Sequence, residues 1–278
     1  MALFNYMEEI RIGIALSGGG AKGIAHIGIL KALLENDIVP HAVAGTSAGS
    51  IAGALYAAGC SPEEMLDFVK DASIFKIFKV VLPLDGLTNL NYLRERLTKF
   101  ITEEKIEKLE RELHIGVVNL NTGEHEIWSR GNVFDVVTAS CSIPLVFKPV
   151  EIEGQLYVDG GLLNNLLVAP LMDTCDYIIG VNVIPHALAI NKNIQNVFGI
   201  AIRCFELSIH ANTMPNIDHC DLLIEPEGLN DFSIFQFNKH TELYEIGYKT
   251  GLEYVAQIKQ QLGALNSEKQ HTPPPLES

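Results

Sequence analysis

The sequence predicts an α/β fold with a mainly parallel central sheet and helices on both faces. Within residues 10–58, short apolar stretches alternate with helical ones in the order strand, helix, strand, helix, which is the order that builds parallel strands. Both strands end at a glycine-containing turn that leads directly into a helix. The chain has 278 residues and is 47% hydrophobic, which is enough for one large domain with a sizeable core.

The other elements follow from apolar periodicity and from turn residues. In the first half we predict strands at 10–16 and 41–45, helices at 22–36 and 48–58, a helix opened by Ser61, and a charged helical region at 89–113. In the second half we predict a hairpin at 114–131, helices at 133–142, 194–213 and 238–262, and strands within 147–161, 176–185 and 221–226. We expect one domain over 1–262 and a disordered tail over 263–278, because the tail is polar and contains three consecutive prolines.

The charge balance narrows the choice of partners. With 20 basic and 34 acidic side chains the formal net charge is -14, which argues against nucleic acid and against simple electrostatic attraction to anionic membranes. Apolar contact with a lipid surface stays open. Residues 38–62 carry no Asp, Glu, Lys or Arg, but they contain polar residues and four glycines, so we predict no transmembrane segment.

Cysteine usage indicates a reducing compartment. The chain has five cysteines, an odd number, and they are well separated: Cys60, Cys141, Cys175, Cys204 and Cys220. We expect reduced core thiols in a cytoplasmic protein, since the N-terminus also lacks the pattern of a secretory signal. No spacing of His and Cys fits a metal site, and we predict no metal.

A glycine-rich stretch at residues 17–23 follows the first strand and opens a helix. Glycine N–H groups can approach an anion closely, and a helix N-terminus favours negative charge. Gly18, Gly20 and Gly23 also fit the fingerprint for dinucleotide phosphates, but that fold needs an acidic residue at the end of the second strand. The chain has residues 45–49 there, so the oxyanion of an acyl-transfer intermediate is the favoured ligand. A tight turn without any ligand is the third alternative.

Residues 45–49, Gly-Thr-Ser-Ala-Gly, fit the pattern G-x-S-x-G. In this pattern the serine lies on a sharp turn between a strand and a helix, where its hydroxyl can attack an acyl carbon. A strand is predicted before Ser47 and a helix after it, so the context supports a nucleophile. The alternative is that Ser47 only caps the N-terminus of its helix.

A nucleophilic serine needs a base that accepts its proton. None of the histidines after Ser47 lies in a glycine-bounded loop that ends a clear core strand. These histidines are His114, His125, His186, His210, His219, His240 and His271. Asp159 does lie at the end of an apolar strand, directly before Gly160 and Gly161. We therefore predict that Asp159 acts on Ser47 directly. The alternatives are that Asp159 only stabilises its turn, and that a histidine completes an esterase triad.

Together these three segments resemble the patatin-like phospholipase family, lipid acyl hydrolases with a Ser–Asp dyad and no catalytic histidine. Residues 139–150 are also similar to a segment that family members carry before the aspartate, and the similarity extends from about residue 10 to about residue 260. The resemblance implies a three-layer α/β/α domain without a cofactor and with Ser47 and Asp159 as catalytic residues. It implies an oxyanion hole at Gly18, Gly19 and Gly20, supported by Lys22, Gly23, Gly45, Gly49, Gly160 and Gly161.

The implied activity is hydrolysis of fatty-acyl esters, of the phospholipase or lysophospholipase type, through an acyl-enzyme on Ser47. The implied partner is a lipid or ester substrate. A Ser-His-Asp carboxylesterase and a non-catalytic binder of dinucleotides or acyl groups are the alternatives. The apolar residues 74–84, which include two lysines, are interpreted either as a buried cap or as a segment in transient contact with a membrane surface.

Overall fold

The computed structural model describes residues 10–70, 89–185 and 195–271. Its central sheet has eight strands within these residues. They are β1 (Ile12–Leu16), β2 (Ala42–Thr46), β3 (Glu112–Asn119), β4 (His125–Trp128), β5 (Val150–Ile152), β6 (Gln155–Asp159), β7 (Tyr177–Val181) and β8 (Leu222–Ile224).

Eight α-helices connect and cover these strands in the same part of the chain. They are α1 (Ile24–Leu34), α2 (Ala48–Ala57), α3 (Pro62–Lys70), α4 (Asn91–Leu97), α5 (Val133–Ser140), α6 (Ala169–Met172), α7 (Val197–Ile217) and α8 (His240–His271). Shorter 3₁₀ turns include those at Gly20–Gly23 and Gly160–Leu162, each directly after a strand or its glycine loop.

The strands are ordered β5-β6-β3-β2-β1-β7-β8, with β4 paired to β3 outside this path. From β3 to β8 along this order neighbouring strands are parallel, and the pairs that involve β4, β5 or β6 are antiparallel. Every residue of β1, β2 and β7 is buried, so the parallel part of the sheet is covered on both faces. The predicted α/β class with a mainly parallel sheet is confirmed.

Strands β2 and β6 meet end to end on one edge of β3. Gly116 of β3 pairs with Thr46, the last residue of β2, and the next residue, Val117, pairs with Asp159, the last residue of β6. Strand β4 pairs with these same two residues of β3 and so occupies its other edge. Because β2 is parallel and β6 antiparallel to β3, their carboxyl ends face each other, and Ser47 follows β2 at this junction.

Helices α1 and α8 pack with almost no side chain between their backbones. A Cβ atom added at Gly28 of α1 would lie 2.2 Å from the carbonyl oxygen of Tyr244, and one added at Gly247 of α8 would lie 2.1 Å from that of Ala25. Glycine at these positions therefore allows the two helices to approach each other closely.

The charged region predicted as helix at 89–113 is only partly helical. The helix α4 ends at Leu97, and the chain then forms a short 3₁₀ turn, Ile106–Lys108, before β3 begins at Glu112. The N–H of Ile106 donates to the carbonyl of Gly131 at 3.0 Å, a bond to a distant loop. This long-range pairing takes the place of the local helical hydrogen bonds that the sequence favoured.

The predicted disorder after residue 262 is wrong for residues 263–271, because α8 continues to His271. One glycine inside a helix costs about 1 kcal/mol, and Gly263 is flanked by good helix formers. Leu265 packs against the core, and Lys269 forms an ion pair with Asp176 at 2.7 Å. Tertiary contacts therefore stabilise the last turns, and residues 272–278 lie outside the described residues.

All five cysteines are free thiols, but Cys204 is exposed and is not the core thiol that the sequence predicted. No helix among the described residues is long and apolar enough to cross a membrane. The uncharged residues 38–62 form β2, α2 and the first residue of α3. The proposed cap or membrane-contact segment, 74–84, lies outside the described residues.

We expect Gly247→Ala to lower the free energy of unfolding by about 1–3 kcal/mol, because its methyl group would overlap the backbone of α1. Gly263→Ala in the same helix is the matched control, since nothing lies within 4 Å of a Cβ added there. That control should raise stability by up to about 1 kcal/mol through the higher helix propensity of alanine. Urea denaturation measures both, and equal effects at the two positions would contradict the close packing of α1 and α8.

Candidate active site

Ser47 lies on a strained turn between β2 and α2. Its φ is 52°, in the left-handed region that non-glycine residues rarely adopt, and such a conformation costs about 1–3 kcal/mol. The flanking glycines make the turn possible: a Cβ at Gly49 would lie 2.0 Å from the carbonyl oxygen of Leu16, and one at Gly45 would lie 2.5 Å from that of Gly49. The pattern G-x-S-x-G is thus a requirement of close backbone packing as well as of chemistry.

The hydroxyl of Ser47 donates a hydrogen bond to Oδ2 of Asp159 at 2.6 Å. The other carboxylate oxygen, Oδ1, accepts from the N–H of Gly161 at 2.8 Å. Asp159 therefore stabilises its own turn through Oδ1 and binds Ser47 through Oδ2 at the same time. The alternative in which Ser47 caps its helix is wrong, because its side chain makes no capping hydrogen bond.

Burial sets the acid–base properties of this pair. Asp159 is 1% exposed and Ser47 7% exposed. Desolvation of the carboxylate raises the pKa of Asp159 to about 7, although the hydrogen bonds from Ser47 and Gly161 favour the charged form. A carboxylate with a pKa near neutrality is a much better proton acceptor than an exposed aspartate.

The end of α5 holds both members of the pair in place, a role that the sequence did not reveal. The hydroxyl of Ser140 accepts from the backbone N–H of Ser47 at 2.9 Å and donates to the carbonyl of Gly116 at 2.7 Å. The carbonyl of Ser142 accepts from the backbone N–H of Asp159 at 3.1 Å. Residues 139–150 had been matched to the family without any function, and only the tertiary contacts show what this segment does.

The glycine loop contains two N–H groups without an acceptor in the described part of the chain. The N–H of Gly18 already donates to the carbonyl of Asn165 at 3.3 Å, so this residue is not available as the oxyanion donor that the sequence predicted. Gly19 and Gly20 donate to none of the described residues. Both line the same cavity as Ser47, which leaves them as the candidate donors in this loop.

The other motif residues serve packing. A Cβ at Gly23 would lie 2.4 Å from the Cβ of Ala48, and one at Gly160 would lie 2.3 Å from the carbonyl oxygen of Gly116. Lys22 is buried but lines a different cavity, one that Ser47 does not line, together with Arg203. Desolvation lowers the pKa of Lys22.

Two cavities meet at Ser47. The smaller one is lined by Ser47, Asp159, Asn165 and the glycine loop together with apolar side chains such as Ile143, Phe205 and Ile209. The larger one shares Gly20, Ser47 and Ile143 with the first and is almost entirely apolar. Its side chains come from α1, α2, α3, α4 and the segment before α8, and they include Ile24, Ile27, Ile51, Leu55, Phe68, Val69, Leu90, Leu93 and Phe237.

No hydrogen bond links a histidine of the described residues to Ser47 or Asp159. His114 bonds to Glu112. His26 bonds to the carbonyl of Ser17, and burial lowers its pKa to about 4, so it is neutral at physiological pH. The buried Nε2 of His125 has no partner there. His186 lies outside the described residues.

Comparison with known families matches residues 14–172 to the family described as patatin-like phospholipase. The chain belongs to this family. The matched stretch contains the glycine loop, the turn at Ser47 and the turn at Asp159, so the segments on which the resemblance was based lie inside it.

The chain is also similar to a much longer protein. Lysophospholipase nte1 of Aspergillus fumigatus is 26% identical over 283 aligned positions, which cover 89% of this chain and 18% of that protein. The chain thus spans less than a fifth of the length of this curated relative.

Two solved structures share the fold. VipD from Legionella pneumophila superposes with a TM-score of 0.56 at 16% identity, covering 90% of this chain and 67% of VipD. Human GIVD cytosolic phospholipase A2, solved with methyl gamma-linolenyl fluorophosphonate, gives a TM-score of 0.52 at 11% identity, covering 96% of this chain and 60% of that one. These likenesses agree with the predicted three-layer α/β/α architecture.

We expect Ser140→Ala to lower kcat for a chromogenic ester by about 10²-fold, because the backbone of Ser47 loses its tie to β3 and the nucleophile shifts. Thr138→Val is the matched control: it removes another buried hydroxyl of α5, one that bonds only to the carbonyl of Phe134. This control should keep most of its activity. Both variants must first show the circular dichroism spectrum of the wild type. An equal loss of kcat in the two would then show that Ser140 acts only through the stability of α5.

Proposed function

We propose that this chain hydrolyses fatty-acyl esters of phospholipids or lysophospholipids through an acyl-enzyme on Ser47. The observation that carries the proposal is the buried 2.6 Å hydrogen bond from Ser47 to Asp159, at the point where a small cavity beside the glycine loop meets a larger apolar one. Membership of a phospholipase family supports the lipid substrate, and the lysophospholipase relative supports the ester class.

In the acylation step Asp159 accepts the hydroxyl proton of Ser47 as Oγ attacks the ester carbonyl carbon. The resulting oxyanion lies against the free N–H groups of Gly19 and Gly20, which stabilise developing negative charge without moving. The intermediate then collapses: the bond to the alcohol oxygen breaks, the proton on Asp159 passes to that oxygen, and the alcohol leaves.

In the deacylation step a water molecule gives a proton to Asp159 while its oxygen attacks the acyl carbon. A second oxyanion forms in the same place. Its collapse breaks the bond to Ser47 Oγ, which regains the proton from Asp159, and the fatty acid leaves.

The apolar lining of the larger cavity suits the acyl chain of such a substrate. Its lining is apolar, and its contact with Ser47 places one end of a chain at the nucleophile. Burial of each methylene contributes about 0.8 kcal/mol, so a long chain can be bound by this surface without polar contacts.

The geometry of the loop disfavours a dinucleotide. The N–H of Gly18 is occupied, that of Ala21 donates to the carbonyl of Ile234 at 2.8 Å, and a Cβ at Gly20 would lie 2.3 Å from the same oxygen. The two N–H groups that remain suit a single oxygen atom better than a pyrophosphate. A cytoplasmic location stays a prediction from cysteine usage.

We expect Ser47→Ala and Asp159→Asn to reduce ester hydrolysis to a similar residual level, with the double variant no worse than either, because the two residues act as one unit. A fluorophosphonate probe should label Ser47 in the wild type, as shown by mass spectrometry of the peptide. His125→Gln is the control for a histidine base, and it should keep substantial activity.

The histidine alternative predicts the reverse result. One correctly folded histidine variant as inactive as Ser47→Ala, together with an active Asp159→Asn, would replace the dyad with a triad. If the fluorophosphonate probe still labels the Ser47→Ala variant, Ser47 is not the nucleophile.

We expect kcat/KM for an uncharged ester to rise with pH through a value of about 7. Only the ionised carboxylate can accept the serine proton, and burial raises the pKa of Asp159 to about 7. Below that value the rate should fall about tenfold per pH unit. Initial rates between pH 4.5 and 9 test this, and a rate that stays constant down to pH 5 would show that the base is not a buried, up-shifted carboxylate.

A further inference from the structure

Asn165 carries a buried amide that has no hydrogen-bond partner. The residue is 0% exposed, and neither Nδ2 nor Oδ1 bonds to any of the described residues. A buried polar group left without a partner costs about 1–3 kcal/mol, so a native structure retains one only where something else satisfies it. Asn165 lines the smaller cavity together with Ser47 and Asp159.

The backbone of Asn165 is held in place by hydrogen bonds on both its carbonyl and its N–H. Its carbonyl accepts from the N–H of Gly18 at 3.3 Å, and its N–H donates to Oδ1 of Asn212 at 2.9 Å. The amide nitrogen of Asn212 in turn donates to the carbonyl of Gly161 at 2.9 Å. The residue is thereby tied to the glycine loop, to α7 and to the turn after Asp159.

A space beside Gly161 joins Asn165 to the catalytic carboxylate. A Cβ added at Gly161 would lie 3.0 Å from Oδ1 of Asn165 and 3.0 Å from Oδ1 of Asp159. A Cβ added at Gly18 would lie 2.4 Å from the same amide oxygen and 3.1 Å from the Cβ of Ser47. The amide oxygen therefore lies close to both catalytic side chains, and the absence of a side chain at Gly161 keeps the space between the two oxygens open.

The acyl-enzyme creates a need at this place. Once Ser47 is acylated, its oxygen carries no proton, and the carboxylate of Asp159 loses the donor that it has at Oδ2 in the free enzyme. A water molecule in the space beside Gly161 can then donate one proton to Oδ1 of Asp159, which can accept a bond in addition to the one from Gly161, and the other to Oδ1 of Asn165. An amide presents an acceptor and donors side by side, which suits it to orient water.

We propose that Asn165 is a further catalytic residue, which binds the water that hydrolyses the acyl-enzyme and directs that water toward the acyl carbon. The proposal rests on the proposed function, because it requires an acyl group on Ser47. In the step itself the water oxygen bonds to the acyl carbon, one water proton moves to Asp159, and the second O–H stays hydrogen-bonded to Asn165. Collapse breaks the bond to Ser47 Oγ and returns the proton to that oxygen.

The test separates acylation from deacylation in Asn165→Ala, with Asn164→Ala as the matched control. Asn164 is the neighbouring residue, and its amide oxygen accepts from Asn216. With p-nitrophenyl laurate, Asn165→Ala should release a burst of p-nitrophenol close to one equivalent and then turn over about 10²-fold more slowly than the wild type. Mass spectrometry of the quenched protein should show Ser47 acylated, and Asn164→Ala should behave as the wild type.

Gly161→Ala provides a second variant if Asn165→Ala fails to fold. Its methyl group fills the space between the two oxygens while the amide stays in place, so it should also accumulate the acyl-enzyme. Deacylation at the wild-type rate in either folded variant, or an equal loss of acylation and deacylation without accumulation, would overturn the role of Asn165.

Measurements on the wild-type protein test the proposed function separately from the role of Asn165. A wild-type protein that neither hydrolyses the ester nor takes a fluorophosphonate on Ser47 would overturn the proposed function, and the role of Asn165 with it. A wild-type protein that does both, with variants that deacylate normally, would overturn the role of Asn165 alone.

Discussion

The candidate active site depends on the junction of β2 and β6 at one edge of β3. Two strands, one parallel and one antiparallel to β3, end against the same edge of that strand, and the residues at their ends are brought together across 112 positions of sequence. Gly116 of β3 is the common point: it pairs with the strand before Ser47, its carbonyl accepts from Ser140, and Gly160 passes directly over it. A side chain larger than a hydrogen atom on Gly160 would force the turn of Asp159 away from this strand.

Several locally unfavourable features are concentrated around this junction. Ser47 has a strained backbone, Asp159 is a buried carboxylate, and Asn165 has a buried amide without a partner among the described residues. Each lowers the stability of the fold, and the proposed function would use each: a sharp turn that presents the serine hydroxyl, a raised pKa and an unused hydrogen-bonding group. The surrounding core, including the close packing of α1 on α8, offsets these costs.

Under the proposed function, the two cavities would divide the binding of a lipid from the chemistry on its ester. The apolar cavity contains almost no polar group that could recognise a particular headgroup, whereas the small cavity contains donors and acceptors in fixed positions. Ser47 lies in the lining of both. An ester bound with its chain in the larger cavity would therefore present its carbonyl to the groups of the smaller one.

The sequence by itself determined the order of strands and helices around the first two glycine turns, and the residue types at Ser47 and Asp159. These features are local, because a strand, a turn and a helix are each specified by period and by turn residues within a few positions. Only the tertiary structure decided that Gly18 has no free N–H, that Ser140 holds the backbone of Ser47, and that Asn165 lacks a partner. The same holds for α8, which continues past Gly263 because distant residues pack against it. Such facts depend on which groups from remote parts of the chain come within hydrogen-bond distance, and no local pattern encodes that.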